Sequence, residues 1–316
     1  MALPPVTCGV NPTLIYFGLF DNCNVKCNMC TCWQLPRSSH TLGHYRSVLG
    51  SVLRWRPRAV RFTGGEPLLF RELPALVRQA AEAGAQVSVI TNGHLLRAKA
   101  AQLRAAGCRL VVVSIDAVGA LHDEIRGVPG LWGRLRAGVE QAMNLGVEYG
   151  VNTVLQRATI DALPDLAESL LQPGTTPSWW HLIPVRGSPQ LEPSAGQVHR
   201  FQSMLSDLER AAAERGIRLI ADRSMFAESA TRPCDVPAFA AYVRADTGSV
   251  YGCNMLAYAD APTGNVIEAD ARDAWFGARR SLLVAACGRG RHAPCARCDR
   301  SSQQMNAVLA ELATAG

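Results

Sequence analysis

Eight residues, CNVKCNMC at 23–30, constrain this chain more than any other stretch. Cys23, Cys27 and Cys30 are separated by three residues and then two, at the end of the apolar segment LIYFGL (14–19). Three thiolates on so short a loop can hold three irons of a cubane cluster, whereas full cysteinyl ligation of such a cluster takes four. The fourth iron is then left with an open position, like the one a catalytic metal keeps for water or substrate. A structural zinc knuckle and a set of buried free thiols are the plainer alternatives.

At 316 residues the chain is long enough for one large core plus a small appended domain. With 48% hydrophobic and 18% charged residues it has the composition of an ordinary soluble globule. No apolar run approaches membrane-span length, and the opening MALPPVTCGVNP lacks a charged segment followed by an apolar one, so no secretion signal is read. A cytoplasmic protein without a membrane partner is expected. The net charge of +6 comes almost wholly from arginine, Lys26 and Lys99 being the lysines. Those arginines are scattered, and no basic run is interleaved with aromatics, which argues against a nucleic-acid partner. Eleven cysteines in a reducing compartment do not make a disulfide framework. They fall into two groups, Cys23, Cys27, Cys30 and Cys234, Cys253, Cys295, Cys298, leaving Cys8, Cys32, Cys108 and Cys287 over.

Past the cysteine loop, strand and helix patterns alternate. AVRFT (59–63), QVSVIT (86–91), CRLVVVSID (108–116), 148–155 and WWHLIPV (179–185) read as strands after LIYFGL, six in all. In ELPALVRQAAEAG, Leu73, Leu76, Val77, Ala80 and Ala81 share one helical face and Gly84 ends the helix. Helices are likewise read after the third strand and over 131–145 and 161–171. Such alternation implies a parallel sheet, and sites in parallel α/β sheets gather at the C-terminal strand ends. A polar-faced helix over about 194–216 is expected to leave this unit, with a domain boundary near 222.

At those strand ends lie TGGEP (63–67), TNG (91–93), Ser114 and Asp116 in VSID, Arg126 in HDEIRG, and Asn152. Taken singly, a turn, a solvated surface arginine and a core-edge amide explain 91–93, Arg126 and Asn152. CxxxCxΦC with Met29 at Φ, followed by GGEP, resembles the signature of the radical S-adenosylmethionine (SAM) family. In that family the open iron chelates the amino and carboxylate groups of SAM. One electron from the cluster then cleaves SAM, and a 5′-deoxyadenosyl radical takes a substrate hydrogen. The resemblance implies an α/β fold, a partial (β/α)6 radical SAM barrel. It makes Gly64, Gly65 and Glu66 contacts for the SAM amino group. It assigns Asn92, Ser114, Asp116, Arg126 and Asn152 as further SAM contacts, and flavodoxin or ferredoxin as the type of reductant.

The later segments RPCDVPAF, GSVYGCNML, GNVIEADARDAWFG and CARCD resemble the twitch domain, a shorter relative of SPASM. That implies a small C-terminal α+β domain over 223–300, with a β-hairpin carrying Cys234 and Cys253 and a helix ahead of Cys295 and Cys298. Those four cysteines would ligate a second, auxiliary [4Fe–4S] cluster. Tetrahedral zinc is the alternative for four cysteines that include a CxxC. The full division expected is 1–13 as an N-terminal segment, 14–222 as the barrel with its linker helix, 223–300 as twitch, and 301–316 as a terminal helix.

For substrate, the sequence thins. Peptide-modifying relatives often carry a leader-recognition domain ahead of the cysteine loop, and 22 residues precede Cys23 here. A compact chain with one auxiliary cluster more resembles the small-molecule members, among them sugar and aminocyclitol dehydrogenases and epimerases of antibiotic pathways. Dehydrogenation ranks first. Epimerisation, with a thiol returning hydrogen, follows, and peptide modification comes third. A non-catalytic zinc or iron–sulfur scaffold comes last. Cys32, Cys108 and Cys287 are the candidate thiol donors, and His181, Arg186 and Glu192 the candidates to hold hydroxyls or act as base.

Overall fold

A computed structural model describes residues 11–35, 40–172, 174–226 and 233–298. The expected terminal helix over 301–316, Cys8, and most of the N-terminal segment lie outside these. The six anticipated strands form where the β-branched runs stand: β1 (Leu14–Gly18), β2 (Ala59–Thr63), β3 (Gln86–Thr91), β4 (Cys108–Ser114), β5 (Glu148–Leu155) and β6 (Trp179–Pro184). Helices cross between them: α1 (Leu42–Leu53), α2 (Leu73–Glu82), α3 (Leu96–Ala105), then the pairs α4 (Gly119–Arg126) with α5 (Leu131–Asn144), and α6 (Arg157–Asp161) with α7 (Leu163–Leu170). All five pairings from β1 to β6 are parallel. On α2 the face of Leu73, Leu76, Val77 and Ala80 is buried against the sheet, as the spacing requires.

Two expectations need correction. Helix α8 (Ala195–Glu214) does not leave the barrel. Its N-terminus is fixed by a capping box between Ser194 and Gln197, and it crosses back to a seventh parallel strand, β7 (Arg218–Ile220), beside β6. Nor does the sheet stop at six strands. Past α9 (Val236–Phe239), strand β8 (Ala240–Arg244) pairs parallel to β1 and continues antiparallel into β9 (Ser249–Tyr251) and β10 (Gly264–Asn265). The order is β10-β9-β8-β1-β2-β3-β4-β5-β6-β7, one sheet of ten strands running into the cysteine-rich segment. Two short helices, α10 (Ala271–Phe276) and α11 (Ala278–Gly288), precede Cys295.

The sheet curls. Strands β2 and β6 stand four places apart, about 19 Å on a flat sheet at ~4.8 Å per strand. Yet the Arg61 guanidinium carbon lies 5.9 Å from the Trp179 ring centroid. Alternate residues therefore face either the helices outside or a common lumen. Ile15, Phe17, Val60, Phe62, Val87 and Val89 pack outward with the helices. Tyr16, Val112, Trp179, Ile220 and Tyr242 meet inside. Gly150 makes room for this layer, since a Cβ there would lie 2.2 Å from the Trp179 ring. Above it, toward the C-terminal strand ends, the lumen-facing Thr63, Ile90, Ser114, Asn152 and Ile183 are only half-buried. The lumen is thus open at that end and floored by Tyr16, Arg61, Trp179 and Tyr242.

Candidate active site

Beyond β1 the chain continues along β2 through Leu19 N–H to Thr63 O (2.9 Å) and enters the cysteine loop. TGGEP lies directly beneath that loop. Gly65 N–H donates to Phe20 O at 2.6 Å and Glu66 N–H to Asn22 O at 2.8 Å. A Cβ on Gly64 (φ +127°) would sit 2.4 Å from Phe20 O, and one on Gly65 2.1 Å from Asn22 O. Two glycines are what this contact allows. From the other side the loop hangs on the end of α4, with Lys26 N–H and Asn28 N–H donating to Arg126 O and Ile125 O, both at 3.0 Å. Cys27 is buried beside Val25 and Leu131, with Cys23 and Cys30 half-buried at the edge of the same cluster. Burial pushes Cys23 up to about 11. Cys30, hydrogen-bonded by Cys32, is held down at about 6, and Cys32 is raised in return.

Several predicted SAM contacts have a protein partner already. Glu66 is fully buried, and its oxygens accept from Leu68 N–H (3.0 Å), the Thr91 hydroxyl (2.9 Å) and Asn92 N–H (2.7 Å). Burial still raises its carboxyl to about 7 against those three bonds. The side chain ties one strand-end loop to the next instead of opening on the mouth. Asn92 turns its amide to Asn24 Oδ1 (2.8 Å) and Cys23 Sγ (3.9 Å), so TNG braces the cysteine loop. Asp116, with no exposure at all, forms an ion pair with Arg126 at 2.7 Å and accepts from Val154 N–H at 2.9 Å. Arg126 is therefore no surface arginine. Burial opposes its charge, but Asp116 and the Cys27 thiol hold its pKa above the usual value, and it donates to Cys27 Sγ at 3.6 Å. Ser114, Asn152 and His181 stand level across β4, β5 and β6 on the lumen wall. Buried acceptors without a hydrogen-bond partner, Asn152 Oδ1 and Gln156 Oε1, lie at these strand ends. They suit a ligand bearing amino and hydroxyl donors, as SAM does.

The second cysteine group lies toward the opposite end of the barrel. β9 runs antiparallel to β8 with Tyr251 opposite Tyr242, so Cys253 emerges where β8 begins, beside Leu14 and Ala240. Cys234, Cys253, Cys295 and Cys298 wall a cavity of about 210 Å³, lined also by apolar side chains such as Val236, Pro237 and Leu256 and by the polar Arg186 and Asn254. Burial raises Cys234 to about 11 and Cys253 to about 12. Among the described residues no three His, Cys, Asp or Glu side chains converge on a single ion.

The remaining candidates scatter. Cys108 opens β4 at its N-terminal end, on the outward face, fully buried and donating to Leu110 O at 3.3 Å, away from the lumen. Cys287 lies on α11 with its Sγ 3.8 Å from Cys295 Sγ, in the second group. Arg186, two residues beyond the C-terminal end of β6, donates to Met225 O (3.1 Å) and lines the same cavity. Glu192 is exposed and offers its carbonyl to Arg157. Sequence reasoning missed Asn24, His94, Gln156 and His122, the last accepting from Asp116 N–H at 3.3 Å and held down at about 4 by burial and Arg126. It also missed Tyr16, Arg61 and Tyr242. Only a weak signal was present, a polar side chain within an apolar strand run, and which face it took depended on the curl of the sheet.

Residues 18–170 match the family model described as the Radical SAM superfamily. An AdoMet-dependent heme synthase of Oleidesulfovibrio alaskensis is 32% identical over 150 residues, 46% of this chain and 38% of that protein. A GTP 3′,8-cyclase of Rhodopseudomonas palustris is 32% identical over 177 residues, 51% of each chain. The chain spans between 38% and 59% of the length of the first curated relatives it matches. Among solved structures, anSMEcpe with bound AdoMet and the Cp18Cys peptide superposes with a TM-score of 0.71 at 16% identity, covering 90% of this chain and 85% of that one.

Proposed function

We propose that the chain, whose residues 18–170 match the Radical SAM superfamily model, is a radical SAM oxidoreductase acting on a carbinol carbon of a sugar or aminocyclitol to leave a ketone. The observation that carries the reading is the pair of thiol groups at opposite ends of one lumen. Cys23, Cys27 and Cys30 would hold a [4Fe–4S] cluster with an open iron, and Cys234, Cys253, Cys295 and Cys298 an auxiliary one. When bound, SAM and these clusters supply a 5′-deoxyadenosyl radical that takes the hydrogen atom, and an acceptor for the second electron.

The protein's own residues do the rest. Gly64 and Gly65 let the backbone approach the cysteine loop, Glu66 and Asn92 fix its height, and Arg126 adds positive charge beside Cys27. Asn152 and Gln156 offer acceptors to the sulfonium cofactor. His181, on the lumen wall level with Asn152, is the group assigned to take the hydroxyl proton. The epimerase reading has less support, because none of its candidate donors stands on the lumen wall. Cys108 faces the helices, Cys287 is engaged by Cys295, and Cys32 by Cys30. Eleven cysteines kept reduced suit a cytoplasmic setting with flavodoxin or ferredoxin as reductant.

Anaerobic reconstitution tests this. About eight irons per chain are expected, with a product two hydrogens lighter than its substrate and free of solvent deuterium. Zinc in a colourless protein would end the proposal, and deuterium incorporated without mass loss would replace it by epimerisation.

A further inference from the structure

The lumen floor carries a charge that no carboxylate of the described residues neutralises. Arg61, in the middle of β2, is 2% exposed. Its Nε donates to Ser88 Oγ at 3.0 Å, and its guanidinium carbon lies 5.9 Å from the ring centroids of both Tyr16 and Trp179. Among the described residues the titratable group acting on it is the Tyr16 phenol, which shares a hydrogen bond with it and is itself raised by burial. A guanidinium stays protonated under such conditions. Beside it, Trp179 Nε1 is buried without an acceptor.

The other buried arginines of the described residues are treated differently. Arg126 is paired with Asp116, and Arg280 donates to the carbonyls of Trp275 and Ala238 at 3.1 and 2.7 Å while stacked 3.4 Å over the Trp275 ring. Arg61 is met by the Ser88 hydroxyl and the Tyr16 phenol, and by no carboxylate or carbonyl of the described residues. Trp179 Nε1, buried without an acceptor, and a guanidinium facing no carboxylate of the described residues share one layer under a lumen whose upper wall is half-exposed, and together they favour an anion supplied from outside the chain.

We propose that the Arg61–Trp179 floor binds an anionic group of the substrate, a carboxylate or a phosphate ester. The inference rests on the reading that substrate occupies this lumen, and it narrows that substrate to a sugar acid or sugar phosphate. The planar guanidinium suits two-point recognition of either anion. An aminocyclitol presenting only ammonium groups would meet like charge there.

Calorimetric titration of the anaerobically reconstituted protein, with SAM present, tests it using four probes of similar size: D-glucuronate, D-glucose 6-phosphate, D-glucose and D-glucosamine. One or both anions should bind more tightly than glucose and glucosamine, and which one does separates carboxylate from phosphate. Arg61→Met should weaken that anion about tenfold or more, the loss expected for a charge-assisted hydrogen bond, without altering glucose. Trp179→Phe keeps the ring and removes the donor, and should weaken the anion about threefold to tenfold. Melting temperature and iron content show whether each variant has folded, and Trp179→Phe decides the matter if Arg61→Met does not. Anions that bind no better than glucose, or variants that weaken anion and glucose alike, overturn the inference. Release of 5′-deoxyadenosine by the reduced wild type is measured separately, so a missing anion site is distinguishable from a protein that is no radical enzyme.

Discussion

At the residue scale, Glu66 and Arg126 are buried ionisable side chains that support the cysteine loop, Glu66 by tying its neighbouring strand-end loops together and Arg126 through its charge beside Cys27. Burial raises the Glu66 carboxyl from 4.5 to about 7, so across that range the folded protein keeps a proton that the unfolded chain has released. Its contribution to stability is therefore full below the lower value and is lost as pH rises through the upper one. Urea unfolding of wild type and Glu66→Gln at half-unit intervals should show the difference between them changing across that window. A constant difference would place the carboxyl's pKa elsewhere. Arg126→Met leaves Asp116 charged and fully enclosed, which should cost about 3–5 kcal/mol. Adding Asp116→Asn removes the stranded charge and should recover part of that loss. A double variant as unstable as the sum of the two singles would mean the pair is not coupled. Neither role was legible in the sequence. HDEIRG and VSID lie ten residues apart at their Asp116 and Arg126, and only the fold of α4 brings the two charges together.

Among elements, the GGEP turn and the cysteine loop behave as one unit. Gly65→Ala would drive a Cβ to 2.1 Å from Asn22 O, and backbone on both sides leaves little room to yield. The variant should lose iron from the first site and melt lower than wild type. Gly133→Ala is the control, since nothing lies within 4 Å of a Cβ there in α5, and it should gain about 0.5–1 kcal/mol of helix stability. Equal iron loss in both would detach the turn from the site. The six strands and their crossovers could be read because apolar strand runs alternate with helical stripes, some of the runs closed by glycine turns such as Gly64–Gly65 and Gly93. β7 and β8 could not. They have three and five residues, and their place beside β6 and β1 comes from the curl of the sheet, which no local pattern records. For the same reason Arg61 reads as an ordinary residue of AVRFT until its strand is seen to line a lumen. Helix α4 was also missed, because Val118 provides no side-chain cap to announce it.

For the molecule as a whole, the lumen joins two cysteine groups that are more than two hundred residues apart in sequence. Their separation along the barrel predicts independence. Cys253→Ala should halve the iron content, to about four per chain, while leaving SAM cleavage without substrate in place, and it should abolish ketone formation. Among the described residues no helix is long and apolar enough to cross a membrane. The most direct measurement mixes the anaerobically reconstituted protein with SAM and dithionite and quantifies 5′-deoxyadenosine by mass spectrometry, alongside Cys27→Ala. Release by the wild type and none by the variant is the predicted result. Intact SAM in both, with iron present, would contradict the account.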